Sequence, residues 1–259
     1  MKKPIITIGA DPELFFKNNT GKLISVVGLL GGSKEEPLPI GEGCGIQEDN
    51  VAAEFCIPPS DNAAAFVKSI QYSMQDIEVR AAKLGLTLAT LVASGSFDRD
   101  QLMTSEARRF GCDPDYNAYT KQANPRPKCT NLNLRSAGGH VHVGTENNPW
   151  AMARVMDLML GVPSVIMDND TERRSLYGQA GALRPKPYGL EYRTLSNFWI
   201  WNKETIEWVY HQVQESVKYC EEFDKECSPE QSIEIRACIN NNDRELAKRL
   251  VKDWSLQTC

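Results

Sequence analysis

Histidine is scarce in this chain, at three residues in 259. No stretch approaches the roughly 20 apolar residues that a bilayer-spanning helix needs. The first residues, Met1-Lys2-Lys3-Pro4-Ile5-Ile6-Thr7-Ile8, carry a short apolar run that Asp11 and Glu13 interrupt before a signal-peptide core can form. Neither sign of charge dominates, with 29 Lys and Arg against 34 Asp and Glu and a net charge of −5. That balance argues against a broad nucleic-acid surface, which needs a positive field, but leaves room for a local basic pocket. The eight cysteines include no C-x-x-C pair, so zinc-type clustering is missing and a disulfide framework is not expected. A phosphate-binding G-x-x-x-x-G-K-[ST] loop is also missing, since Gly28-Leu29-Leu30-Gly31-Gly32-Ser33-Lys34 has the wrong spacing. Together these absences describe a cytoplasmic protein with no membrane partner, long enough to bury a substantial core.

Two of the three histidines stand in Gly138-Gly139-His140-Val141-His142-Val143-Gly144. Alternate residues of a strand share a face, so His140 and His142 project side by side while Val141 and Val143 turn to the other side. By itself the pair is equally a metal or phosphate site and a strand with two satisfied histidines.

Elsewhere the pattern predicts strands at 4–9 and 13–16, broken near Asp11-Pro12, at 22–30, at 50–57 and at 86–93. Residues 37–47, rich in Gly and Pro, read as a loop. Ser60-Asp61-Asn62 can cap a helix to about Leu84. The stretch 98–130, with Pro114, Pro125 and Pro127, is irregular and long enough to serve as a lid or binding loop. Helices are predicted at Trp150 to about Gly161 and at 163–176, and a strand at 188–196. The part from about 203 is helical, at 203–225, 229–239 and 243–254. Antiparallel-type strands with segregated helices indicate an α+β fold.

Two further segments repeat the i, i+2 spacing. Asp11 and Glu13 share one strand face, as do Glu191 and Arg193. Glu54 is an acid within an otherwise apolar strand, a costly position unless its charge is paired or metal-bound. Arg173, Arg174, Arg184 and Lys186 form a cationic run ahead of the Glu191 strand. Carboxylates with an occasional imidazole suit Mg²⁺ or Mn²⁺, and converging arginines suit phosphate oxygens. Metals plus arginines point to a polyphosphate, most simply ATP.

The segments Gly9–Glu13, Asp49–Glu54, Gly138–Gly144 and Arg173–Asn197 together resemble the phage-type carboxylate–amine ligase (amidoligase) family of the glutamine synthetase-like superfamily. The resemblance spans residue 9 to about 199. It implies one catalytic domain over 1–259, with a curved, mainly antiparallel sheet lined by site residues and helices on its outer face. It implies that Glu13, Glu54, His140 and Glu191, with Asp11, hold the divalent metals that bridge ATP phosphates. Arg184 and Arg193 would steady phosphate or acyl phosphate, with Arg173 or Arg174 in support and Glu191 counted in the catalytic set. His142, Lys186 and Arg193 would contact nucleotide or position substrate. The expected partners are small-molecule or peptide carboxylates and amines, a modified nucleotide among them. A guanidino-kinase-like phosphotransferase, a metallohydrolase built on the H-x-H pair and a non-catalytic nucleotide-binding module are the competing readings.

Overall fold

The computed structural model describes residues 6–108, 115–125 and 130–259, the side chain of Asp224 apart. It is a mixture of helices and antiparallel sheet. One open sheet of eight strands runs in the order Leu38–Gly41, Cys44–Asp49, Ala52–Cys56, Thr7–Leu14, Gly139–Gly144, Gly189–Tyr192, Ala182–Lys186 and Tyr116–Asn117. Every neighbouring pair in it is antiparallel.

The two faces of this sheet differ. On one, Ile8, Leu14, Ile46, Phe55, Val141, Val143, Leu190 and Tyr192 are fully buried, and they pack beneath the helices as a single core. Burying each such side chain contributes about 1.5–3 kcal/mol, so register is strongly fixed: slipping one strand by one residue would turn its apolar set outward. The other face carries the polar residues.

Several local expectations change. The first strand is unbroken from Thr7 to Leu14. Pro12, which has no N–H to donate, lies where pairing with Gly139–Gly144 ends and pairing with Ala52–Cys56 begins. The expected loop at 37–47 is instead a hairpin, with Gly41, Glu42 and Gly43 at φ of 103°, 54° and 77° forming its turn. Its Gly content marks that turn, and Pro39 is tolerated because it stands on an edge strand. The strands expected at 22–30 and 86–93 shrink to Leu23–Ile24 and Thr87–Leu88, which flank Phe16–Lys17 in a small separate sheet. Within 98–130 the chain forms a short 3₁₀ turn, Arg99–Leu102, a helical turn, Ser105–Arg108, and the edge strand Tyr116–Asn117. The rest of the expected lid, at 109–114 and 126–129, lies outside the described residues.

The first long helix is Ala63–Lys83, capped by the Asn62 side chain, which accepts from Ala65 N–H. The next runs continuously over Pro149–Met167, so the helix expected at 163–176 ends early and Arg173–Leu176 forms a separate turn. This helix changes to π geometry over Asp157–Gly161, with Val162 N–H bonding to Asp157 O. The widened turn accommodates Pro163, which has no N–H for the carbonyl one turn back. Against the expectation that no such stretch exists, Pro149–Met167 is long and apolar enough to cross a membrane by length and composition, though 67% of its apolar window is buried inside the molecule, as in a core helix. Helices Lys203–Glu226, Pro229–Asn240 and Arg244–Asp253 complete the chain.

Candidate active site

Cross-strand register assembles the polar face. Asp11 pairs with His140, His142 with Glu191, Glu191 with Arg184, and Glu13 with Glu54. Gln47 continues the row beyond Glu54. Alternation within a strand supplies the second member of each pair, and sheet order brings six strands together. The glycines before His140 permit close approach: a Cβ on Gly138 would lie 2.2 Å from His140 Nε2, and one on Gly139 would lie 2.2 Å from Ser196 O.

Asp11, His140 and Glu191 offer ligand atoms that all lie within 4.8 Å of one another. Glu191 Oε1 accepts from Arg193 Nη1 and, at 3.2 Å, from Arg184 Nη1. Lys186 Nζ stands 3.0 Å from Glu191 Oε2. Burial favours the neutral Glu191 carboxyl, yet Arg193, with His140 and Arg184, pulls it down to about 2. Burial and the Arg193 guanidinium, 3.3 Å from Nδ1, lower His140 to about 4, which leaves a neutral imidazole at neutral pH. Asp11 is half-buried, which works against its charge, but His142 and His140 hold its carboxyl well below the usual carboxylate range. Asp11 Oδ2 lies 3.0 Å from His142 Nε2, and His142 Nδ1 lies 2.6 Å from Tyr188 Oη. Burial works against charging His142, but Asp11 outweighs it and raises the imidazole pKa.

Glu13, Asp49 and Glu54 form a second trio of the same compactness. Here carboxylates crowd each other. Burial and the Asp49 charge push Glu13 up to about 7, against a backbone bond from Gly138 N–H at 2.7 Å. Burial, Asp11 and Asp49 push Glu54 well above its ordinary value. Burial likewise raises Asp49. Two buried carboxylates and a half-buried third without a cation between them are an expensive arrangement. A divalent ion would remove that cost, as it would for Asp11 Oδ1, which is buried without a hydrogen bond. The donor sets, oxygen with one imidazole, suit hard cations such as Mg²⁺ and Mn²⁺.

Of the expected residues, Asp11, Glu13, Glu54, His140, His142, Arg184, Lys186, Glu191 and Arg193 share this face. Arg173 lies beside it, with Nη1 and Nη2 donating to the carbonyls of Thr194 and Arg193 at 3.0 and 3.2 Å. Arg174 does not join them on this face. Its Nη2 donates to Ser164 Oγ at 3.0 Å and stands 3.8 Å from Asp168 Oδ2. Neighbours in one helical turn point about 100° apart, so only one of two adjacent arginines reaches the sheet face.

Asp49, Tyr188 and Asp115 escape the sequence reading. Asp49 belonged to a quoted motif, but taking 37–47 as a loop hid the strand that assigns its face. Asp115 Oδ2 lies 3.8 Å from Arg193 Nε, a pairing with no local signature. Two hollows flank the His140–Glu191 row. A narrow one of about 50 Å³ lies among Glu13, Asp49, Asp115, Arg135, Arg173 and Arg193. A wider one of about 380 Å³ lies among Gly9, Ile57, Pro59, His142 and Tyr188, with no lysine or arginine in its lining among the described residues.

No curated protein matches this chain. The family model described as Phage phiEco32-like COOH.NH2 ligase-type 2 matches residues 129–256. That span carries His140, His142, Arg184, Glu191 and Arg193, while Asp11, Glu13, Asp49 and Glu54 precede it. This match over the C-terminal part of the chain supports a phage-type carboxylate–amine ligase, an enzyme that forms carbon–nitrogen bonds.

Proposed function

We propose that this protein condenses a carboxylate with an amine at the expense of ATP, through an acyl phosphate, on a glutamine synthetase-like catalytic sheet. The observation that carries this reading is the meeting of two ligand trios with Arg184, Lys186 and Arg193 on one sheet face. Asp11, His140 and Glu191 would hold one divalent cation, and Glu13, Asp49 and Glu54 another. When bound, such ions neutralise phosphate charge and orient its oxygens.

In the reaction the substrate carboxylate attacks the γ-phosphorus and ADP leaves. The amine then attacks the acyl carbon, phosphate leaves, and the nitrogen gives up a proton. Arg193, tied to Glu191 and adjacent to His140, would steady the charge that develops in transfer. Arg184 and Lys186 would hold neighbouring oxygens. Asp115, which lines the narrow hollow and belongs to neither trio, could take the amine proton. The space supports a division of labour: about 50 Å³ suits ions and a carboxyl group, whereas about 380 Å³ has room for a nucleoside. A small-molecule or peptide acid and amine are the expected substrates, and the family match favours ligation over transfer of phosphate to a guanidino group.

The test is ADP release with Mg²⁺ or Mn²⁺ across pools of acids and amines, with products read by mass spectrometry. ADP, phosphate and a new amide in equal amounts are expected. ADP with a phosphorylated acceptor and no amide would replace ligation by phosphotransfer, and nucleotide binding without any turnover would make the protein a binding module.

A further inference from the structure

Asp157 is completely buried on the helix side of the sheet, away from both trios. Burial pushes its carboxyl up to about 7, against the donors that surround it. Tyr119 Oη donates to Oδ2 at 2.8 Å, Tyr192 Oη to Oδ1 at 2.8 Å, and Thr194 Oγ1 reaches Oδ1 at 3.3 Å. Gly181 adds a backbone N–H.

The donors belong to the segments that deliver the site's charged groups. Tyr192 and Thr194 bracket Arg193, the guanidinium bound to Glu191 and adjacent to His140. Gly181 immediately precedes the strand Ala182–Lys186, which carries Arg184 and Lys186. Tyr119 lies on the stretch 115–125, whose first residue, Asp115, faces Arg193. The rear of that stretch is also held by Arg236, stacked over the Tyr119 ring at 4.8 Å. Asp157 itself stands at the start of the π segment, a departure from α geometry that often marks functional positions.

We propose that Asp157 is a positioning residue for the ligase reaction. One carboxylate joins, from behind the sheet, the segments that aim Arg193, Arg184 and Asp115. This rests on the ligase reading above. A displacement of about 1 Å in a group that stabilises transferred charge costs on the order of 100-fold in rate, so loss of this anchor affects catalysis beyond its effect on stability.

Two variants test it. Asp157→Asn keeps the shape but weakens the acceptor, and Tyr119→Phe releases the 115–125 stretch alone. Each is compared with wild type for kcat and KM well below its melting temperature, and for hydrogen–deuterium exchange along the backbone. The expected result for Asp157→Asn is kcat lower by about 10–100-fold with KM within about threefold. Exchange should quicken at 115–125 and 189–195 and stay unchanged at 44–56. Tyr119→Phe should show the same signs, with faster exchange confined to 115–125. Unchanged exchange at 115–125 and 189–195 in both variants overturns the proposal whatever the enzyme's substrates. Faster exchange with kcat unchanged also overturns it, since the residue would then serve the fold alone. A wild type that forms no amide while the variants show faster exchange locates the failure in the ligase reading instead.

Discussion

Each of the two trios on the polar face contains a buried glutamate, yet these two carboxyls behave oppositely. Glu191 is driven down to about 2, while Glu13 is driven up to about 7. Both are buried, so burial does not separate them. Arg193, Arg184 and Lys186 gather on Glu191, whereas the charge that acts most strongly on Glu13 is another carboxylate, Asp49. One trio is already neutralised by protein cations. The other is short of positive charge, and a bound cation would relieve its crowding.

The sharpest way to break this contrast is Glu191→Gln. It removes a ligand atom and leaves Arg184, Lys186 and Arg193 without their common partner, so ATP turnover should fall on the order of 1,000-fold. ADP release beside a circular-dichroism check of folding measures it, and turnover within tenfold of wild type would remove Glu191 from the chemistry.

Asp49→Asn comes next and should act in two opposite directions. It relieves repulsion, so the protein in EDTA should melt a few degrees higher. It also deletes a ligand, so Mn²⁺ affinity should fall about 10–100-fold and the metal-induced rise in melting temperature should shrink. Calorimetry and thermal melts follow both, and lower stability in EDTA would contradict the repulsion argument.

Acid and base should separate the trios as well. Glu13 holds its proton more tightly folded than unfolded, so its effect lowers metal-free stability as pH rises from about 4.5 to about 7. Glu191 does the reverse: its stabilisation is complete above about 4.5 and fades as pH falls toward 2. Urea midpoints across pH in EDTA check both, with Glu13→Gln expected to flatten the upper limb and Glu191→Gln the lower.

Tyr188→Phe should have the smallest effect. It removes one hydroxyl 2.6 Å from His142, worth about 1 kcal/mol. ATP affinity should weaken about fivefold by that measure, with Mn²⁺ binding unchanged.

How much of this was legible in the sequence follows from the range of each signal. The pairs Asp11/Glu13, His140/His142 and Glu191/Arg193 could be read directly, because strand alternation is a local rule. Glu54 stood out because an acid interrupts an apolar strand. Asp49 was hidden by a hairpin whose glycines looked like a loop. Arg173 and Arg174 could not be told apart, since their difference depends on which side of one helical turn meets the sheet. Asp157 was unreadable as an anchor, because Tyr119, Tyr192 and Thr194 reach it from distant points of the chain.

The sequence by itself therefore determined which side chains share a strand face and which faces are apolar, since both follow from backbone period and composition. Only the tertiary structure decided which strands lie side by side. That choice separates the carboxylates surrounded by arginines from those left facing one another, because charge coupling falls off within a few ångströms and depends on neighbours far apart in the chain.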